Sequence, residues 1–118
     1  MSRATTPFAR LGLLAALTAL TVAGAGAATA APVVIEFKDG VVTPQVVEIA
    51  AGEPAELLIR NTGTSAGEFE SKALKKETVV GPGKEMTVKL PALPAGDYAF
   101  VDEFHERQES ARGTLTVK

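Results

Sequence analysis

Turn signals punctuate this chain about every ten residues from position 39 onward, and that punctuation leaves room for little but short strands. Asp39-Gly40, Ala51-Gly52-Glu53-Pro54, the run Thr62 to Gly67, Gly81-Pro82-Gly83 and Pro91 to Gly96 all carry residues suited to tight turns. Between them lie extended, β-branched or alternating segments: Val33 to Lys38, Val41 to Ile49, Glu56 to Asn61, Glu68 to Ser71, Thr78 to Val80, Glu85 to Leu90, a stretch beginning at Asp97, and Gly113 to Lys118. Pro44 cannot donate to a ladder, so it belongs at an edge or a crossing. Lys72 to Lys76 is the one place where a helical turn could sit. The pattern predicts an all-β, antiparallel Greek-key β-sandwich of seven to eight strands. Met86, Val88 and Leu90 share a face and are expected in the core, as are Tyr98, Phe100, Leu115 and Val117.

The first thirty residues fall outside that pattern. Arg3 and Arg10, an apolar run from Leu11 to Ala23 and the small triplet Ala28-Thr29-Ala30 describe a secretory signal peptide over residues 1–30, leaving one domain over 31–118. The run is short of the ~20 residues that a membrane span needs. An exported, soluble protein is expected. Without those two arginines, 10 basic residues face 14 acids, a net charge of −4 with His105 neutral. That balance argues against nucleic acid, which demands a basic footprint, and suits a cation as ligand. There is no cysteine. The domain must stand on its apolar core, and a metal site would use oxygen and nitrogen donors, with methionine sulfur as the one soft alternative.

The densest group of carboxylates surrounds the lone histidine, in Asp97-Tyr98-Ala99-Phe100-Val101-Asp102-Glu103-Phe104-His105-Glu106-Arg107. It begins as a strand and ends in residues that a strand would not choose. A second acidic pair, Glu68 and Glu70, flanks Phe69. On extended backbone, Glu68 and Glu70 share a face, as do Glu103 and His105, while Phe69 and Phe104 point the other way as apolar anchors. Asp102 and Glu106 have the opposite parity to Glu103 and His105. Glu77, after Lys75-Lys76, fits a local ion pair or a contact behind the site. Any one of these glutamates alone reads as an ordinary surface carboxylate. No nucleophilic triad is expected: Ser65, Ser71 and Ser110 lie in polar loops without a nucleophile elbow. Gly81-Pro82-Gly83 reads as a hairpin turn rather than a phosphate cradle.

Phe37, then Val41-Val42-Thr43-Pro44-Gln45-Val46-Val47-Glu48-Ile49, Ala51-Gly52-Glu53, Leu58-Ile59-Arg60-Asn61 and, late on, Leu93-Pro94-Ala95-Gly96-Asp97-Tyr98-Ala99-Phe100 together resemble a cupredoxin. Gly67-Glu68-Phe69-Glu70-Ser71 and Asp102-Glu103-Phe104-His105-Glu106 are similar to the small periplasmic cupredoxin-like proteins of bacterial iron-uptake systems, of the EfeO-domain or stand-alone type. The resemblance implies a site where two loops meet at one end of the sandwich. It implies as metal ligands Glu68, Glu70, Glu103, His105 and, more weakly, Asp102. A type 1 copper site needs a thiolate and is excluded. Carboxylates with one imidazole suit iron or manganese, admit copper(II), and would take zinc adventitiously. The function implied is a periplasmic metal-binding protein that assists ferrous iron uptake, binding iron or copper and aiding iron oxidation or transfer, with a periplasmic iron-binding protein and a membrane iron permease as partners. Turnover as an oxidase would need a one-electron acceptor, and a metal-free interaction module is the alternative. With His105 as a ligand, metal affinity should fall below pH ~6.5.

Overall fold

Pro44 splits the second β-rich run into two strands that serve different sheets. The computed structural model describes residues 30–118, together with Ser2 and Ala4; otherwise the expected export signal lies outside the described residues. Nine strands follow in order: β1 (Val33–Lys38), β2 (Val41–Thr43), β3 (Val46–Ile49), β4 (Ala55–Asn61), β5 (Gly67–Ser71), β6 (Lys76–Val80), β7 (Glu85–Leu90), β8 (Gly96–Asp102) and β9 (Arg112–Val117). They form a four-stranded sheet, β2-β1-β4-β7, packed on a five-stranded sheet, β3-β9-β8-β5-β6.

The sheets are mixed rather than wholly antiparallel. β1 runs parallel to β4, from Val33 opposite Leu57 to Phe37 opposite Asn61, and β3 runs parallel to β9. Alternation along a strand has the same period in either direction, so sequence patterning could not distinguish them. Crossing at Pro44 carries β3 away from its hairpin partner and lays it beside the end of the chain.

Ile35, Phe37, Leu57 and Ile59 from one sheet meet Phe69, Val80, Phe100, Leu115 and Val117 from the other, all buried. Burying each such side chain is worth about 1.5–3 kcal/mol. The Phe69 and Phe100 rings stack with centroids 5.3 Å apart, tying β5 to β8. Asn61, also buried, donates from Nδ2 to the carbonyls of Ser65 and Val80, at 2.8 and 2.9 Å, and so fixes the loop before β5.

Three expectations are corrected. The helical turn expected over Lys72 to Lys76 is instead a tight turn over residues 72–75, with Lys75 at φ 55°, and Lys76 already opens β6. Met86 is 42% exposed, because β7 is an edge strand and Met86 sits near its outer end. The extended parity assumed beyond Asp102 also ends at once: Glu103–His105 winds into a short 3₁₀ turn, with Glu106 N–H donating to the Glu103 carbonyl at 3.2 Å. Phe104 is therefore no anchor and stands 52% exposed.

Candidate metal centre

Because Phe69 and Val80 fill the core, the alternate residues of β5 and β6 face away from it, and Glu68, Glu70 and Glu77 share the outer face of the five-stranded sheet. Glu70 lies directly opposite Glu77 in the ladder, with Glu68 on the neighbouring diagonal. On the other side of β5, Phe69 pairs with Asp102 and Glu70 with Val101, so the 3₁₀ turn begins beside Glu68. Glu68, Glu77 and Glu103 each bring one carboxylate oxygen within 4.8 Å of the other two. Glu70 stands beside them on the same outer face.

Such crowding has an electrostatic signature. Glu68 is only 8% exposed. A hydrogen bond with Glu77, then burial, then repulsion from Glu77, Glu103 and Glu70 push its carboxyl up to about 7. Glu103 is raised as well, first by its hydrogen bond with Glu70, then by desolvation and by Glu70, Glu77 and Glu106. The ion pairs among the described residues are Arg60–Glu85 and Lys118–Glu48, with His105 against Asp102, and none of them reaches Glu68, Glu77 or Glu103. A cation held there would meet an all-oxygen donor set.

The other two expected ligands stand apart. Asp102 is 1% exposed and its two oxygens are both engaged: Oδ1 accepts the Glu68 N–H at 3.0 Å and Oδ2 lies 2.7 Å from His105 Nδ1. His105 Nε2 is 3.1 Å from Ser65 Oγ, which donates to Asp39 Oδ1 at 2.8 Å. Both imidazole nitrogens are thus taken within the protein. The structure brings together Glu68 and Glu103 with Glu70 beside them, adds Glu77, and places Asp102 and His105 behind the cluster, in a hydrogen-bonded chain. Register gives the signal for Glu77: with β5 and β6 joined by a tight turn, Glu70 must face it. Strand patterning treated each segment separately and missed that.

Ser65, His105 and Asp102 also fall into the order of a nucleophilic triad, an arrangement that the polar-loop context of Ser65 did not suggest. It is wired against catalysis. Ser65 commits its hydroxyl proton to Asp39, and the N–H groups of Thr64 and Ser65 that could stabilise an oxyanion both go to Asp39 at 2.9 Å. These contacts hold the Asp39 carboxyl down to about 2, the Ser65 hydroxyl contributing most.

Likeness to known proteins follows the fold. An uncharacterised protein of Rickettsia prowazekii (strain Madrid E) is 33% identical over 83 residues, covering 70% of this chain and 65% of that protein; the chain thus spans less than two thirds of this relative. Among solved structures, the metal binding domain of the Cu(I) exporting P-type ATPase of Streptococcus pneumoniae D39 superposes with a TM-score of 0.64 at 18% identity, over 74% of this chain and 84% of that one. Auracyanin from Roseiflexus castenholzii gives 0.62 at 16% identity, over 76% and 98%. At these identities the two structures share the fold alone. The family model for the cupredoxin-like domain matches residues 10–117, and the chain belongs to that family.

Proposed function

We propose that this chain is an exported metal-binding cupredoxin that holds a hard cation, iron before copper(II), on the carboxylates of Glu68, Glu77 and Glu103, with Glu70 alongside, and serves ferrous iron uptake. One observation carries the reading: three carboxylate oxygens within 4.8 Å of one another, one from a largely buried residue, with no protein cation among them. Fully ionised, the cluster would repel itself, so bound metal is its natural counter-charge. Copper(I), which the pneumococcal domain binds, suits soft sulfur donors that this cluster lacks. Asp102 and His105 are positioning residues in this reading, the first through the Glu68 backbone and the second through Asp102.

The resemblance of the two acidic segments to iron-uptake cupredoxins is what supports the pathway, and it implies a periplasmic iron-binding protein and a membrane permease as partners. Transfer of the ion to such a partner fits a site on an outer sheet face, open to solvent. The apolar run and the Ala28-Thr29-Ala30 triplet supply export, and the intact mass of the secreted protein should begin at Ala31.

Calorimetric titration with iron(II), manganese(II) and copper(II) tests the site. Glu68→Gln, Glu77→Gln and Glu103→Gln should each weaken metal binding about tenfold or more, whereas Glu85→Gln should leave it unchanged. Absence of binding to the native protein would replace this reading with that of a metal-free interaction module. Oxygen-dependent loss of iron(II) over many turnovers per protein would make it an oxidase.

A further inference from the structure

Resting on the carboxylate site proposed above, we propose that the groove beside it binds a small polycarboxylate, which completes the coordination of the metal from the open side. Successive ladders set Glu77, Glu70, Val101 and Arg112 in one row across β6, β5, β8 and β9. Strands lie about 4.8 Å apart, so the backbones of Glu70 and Arg112 are separated by roughly 10 Å, the span of a small di- or tricarboxylate. The space between them is a groove of about 630 Å³ on the outer sheet face. Ala99 and Val101 of β8 and Thr114 of β9 line it from the outer sheet face, together with Lys72 and Arg112.

Charge divides this groove in two. Glu70, directly opposite the cluster's Glu77 in the ladder, also lines the groove, so this one side chain borders both. Among the described residues neither Lys72 nor Arg112 is in an ion pair; Arg112 Nη2 donates to the Glu106 carbonyl at 3.1 Å, and the rest of its fork remains for a carboxylate. An oxygen-rich site for manganese or iron favours six ligands, and three glutamates supply half of them. An anion with two or more carboxylates can put one on the metal and another on Arg112 or Lys72. A monocarboxylate can do only one of these. Without metal, Glu70 and Glu106 on the same walls repel the anion. Binding of anion and metal should therefore reinforce each other.

Equilibrium dialysis of radiolabelled citrate against the protein, with and without manganese(II), tests the inference, alongside a manganese titration without citrate. Citrate should bind the manganese-loaded protein about tenfold or more tighter than the metal-free protein, and acetate should show no such gain. Lys72→Gln with Arg112→Gln, both exposed, should reduce citrate binding about tenfold while leaving manganese affinity without citrate within about twofold. Arg112→Lys, which keeps the charge and loses the fork, should fall between. If manganese binds but citrate is indifferent to these substitutions, the groove inference is overturned and the metal site stands. If manganese does not bind the native protein, both are overturned.

Discussion

The structure sets Glu77 and His105 in surroundings other than those their sequence contexts suggest. Glu77 follows two lysines, which reads as a local ion pair, yet strand register turns it toward Glu68 and Glu70. His105 sits among acids, which reads as a ligand, yet Asp102 and Ser65 occupy both its nitrogens. A side chain's neighbours in space were not its neighbours in the chain: parity within one strand grouped Glu68 with Glu70, the family resemblance added Glu103, and only strand register adds Glu77. The Glu68 carboxyl carries a measurable consequence. Raised from 4.5 to about 7 in the fold, it favours folding in its protonated form, so its contribution is complete below about 4.5 and is lost as pH rises through about 7. Glu103 is shifted in the same sense. The metal-free protein should therefore unfold at a lower denaturant concentration at pH 8 than at pH 5, and Glu68→Gln should flatten much of that slope. A metal-free protein whose stability rises across this window would contradict the arrangement of charges.

At the scale of elements, the strands were legible because turn residues bracket them, and the two-sheet class followed from their number and spacing. What escaped was direction and the end of β8. Tyr98, Phe100 and Asp102 share one face of β8, and nothing in Glu103-Phe104-His105 marks the point where extended backbone gives way to a 3₁₀ turn. The missing signal is tertiary: Asp102 is pinned by the Glu68 N–H and by His105, and that pinning turns the chain. β9 depends on its neighbour in a simpler way. Gly113 lies opposite Phe100, and a Cβ at that position would collide with the ring. Gly113→Ala should cost about 1–3 kcal/mol by forcing Phe100 off its stack with Phe69, read from chemical denaturation. Gly52→Ala meets no atoms but has a φ of +75°, so a loss there would reflect backbone strain alone.

Across the whole molecule, the apolar core and the carboxylate cluster occupy opposite faces of one sheet and share no side chain. Removal of metal should therefore leave the far-ultraviolet circular dichroism spectrum unchanged. Thermal stability should fall only by the binding contribution, about 2.7 kcal/mol for a metal present at 100 times its Kd. Collapse of the fold on chelation would show instead that the ion is structural. The chain of bonds from Asp39 through Ser65 and His105 to Asp102 bears on the same point. It joins the β1–β2 turn, the loop before β5 and the turn after β8, closing one end of the sandwich with the protein's own groups. An end closed in this way by the protein's own groups needs no ion to hold it shut, so a cation bound nearby would find the frame already finished.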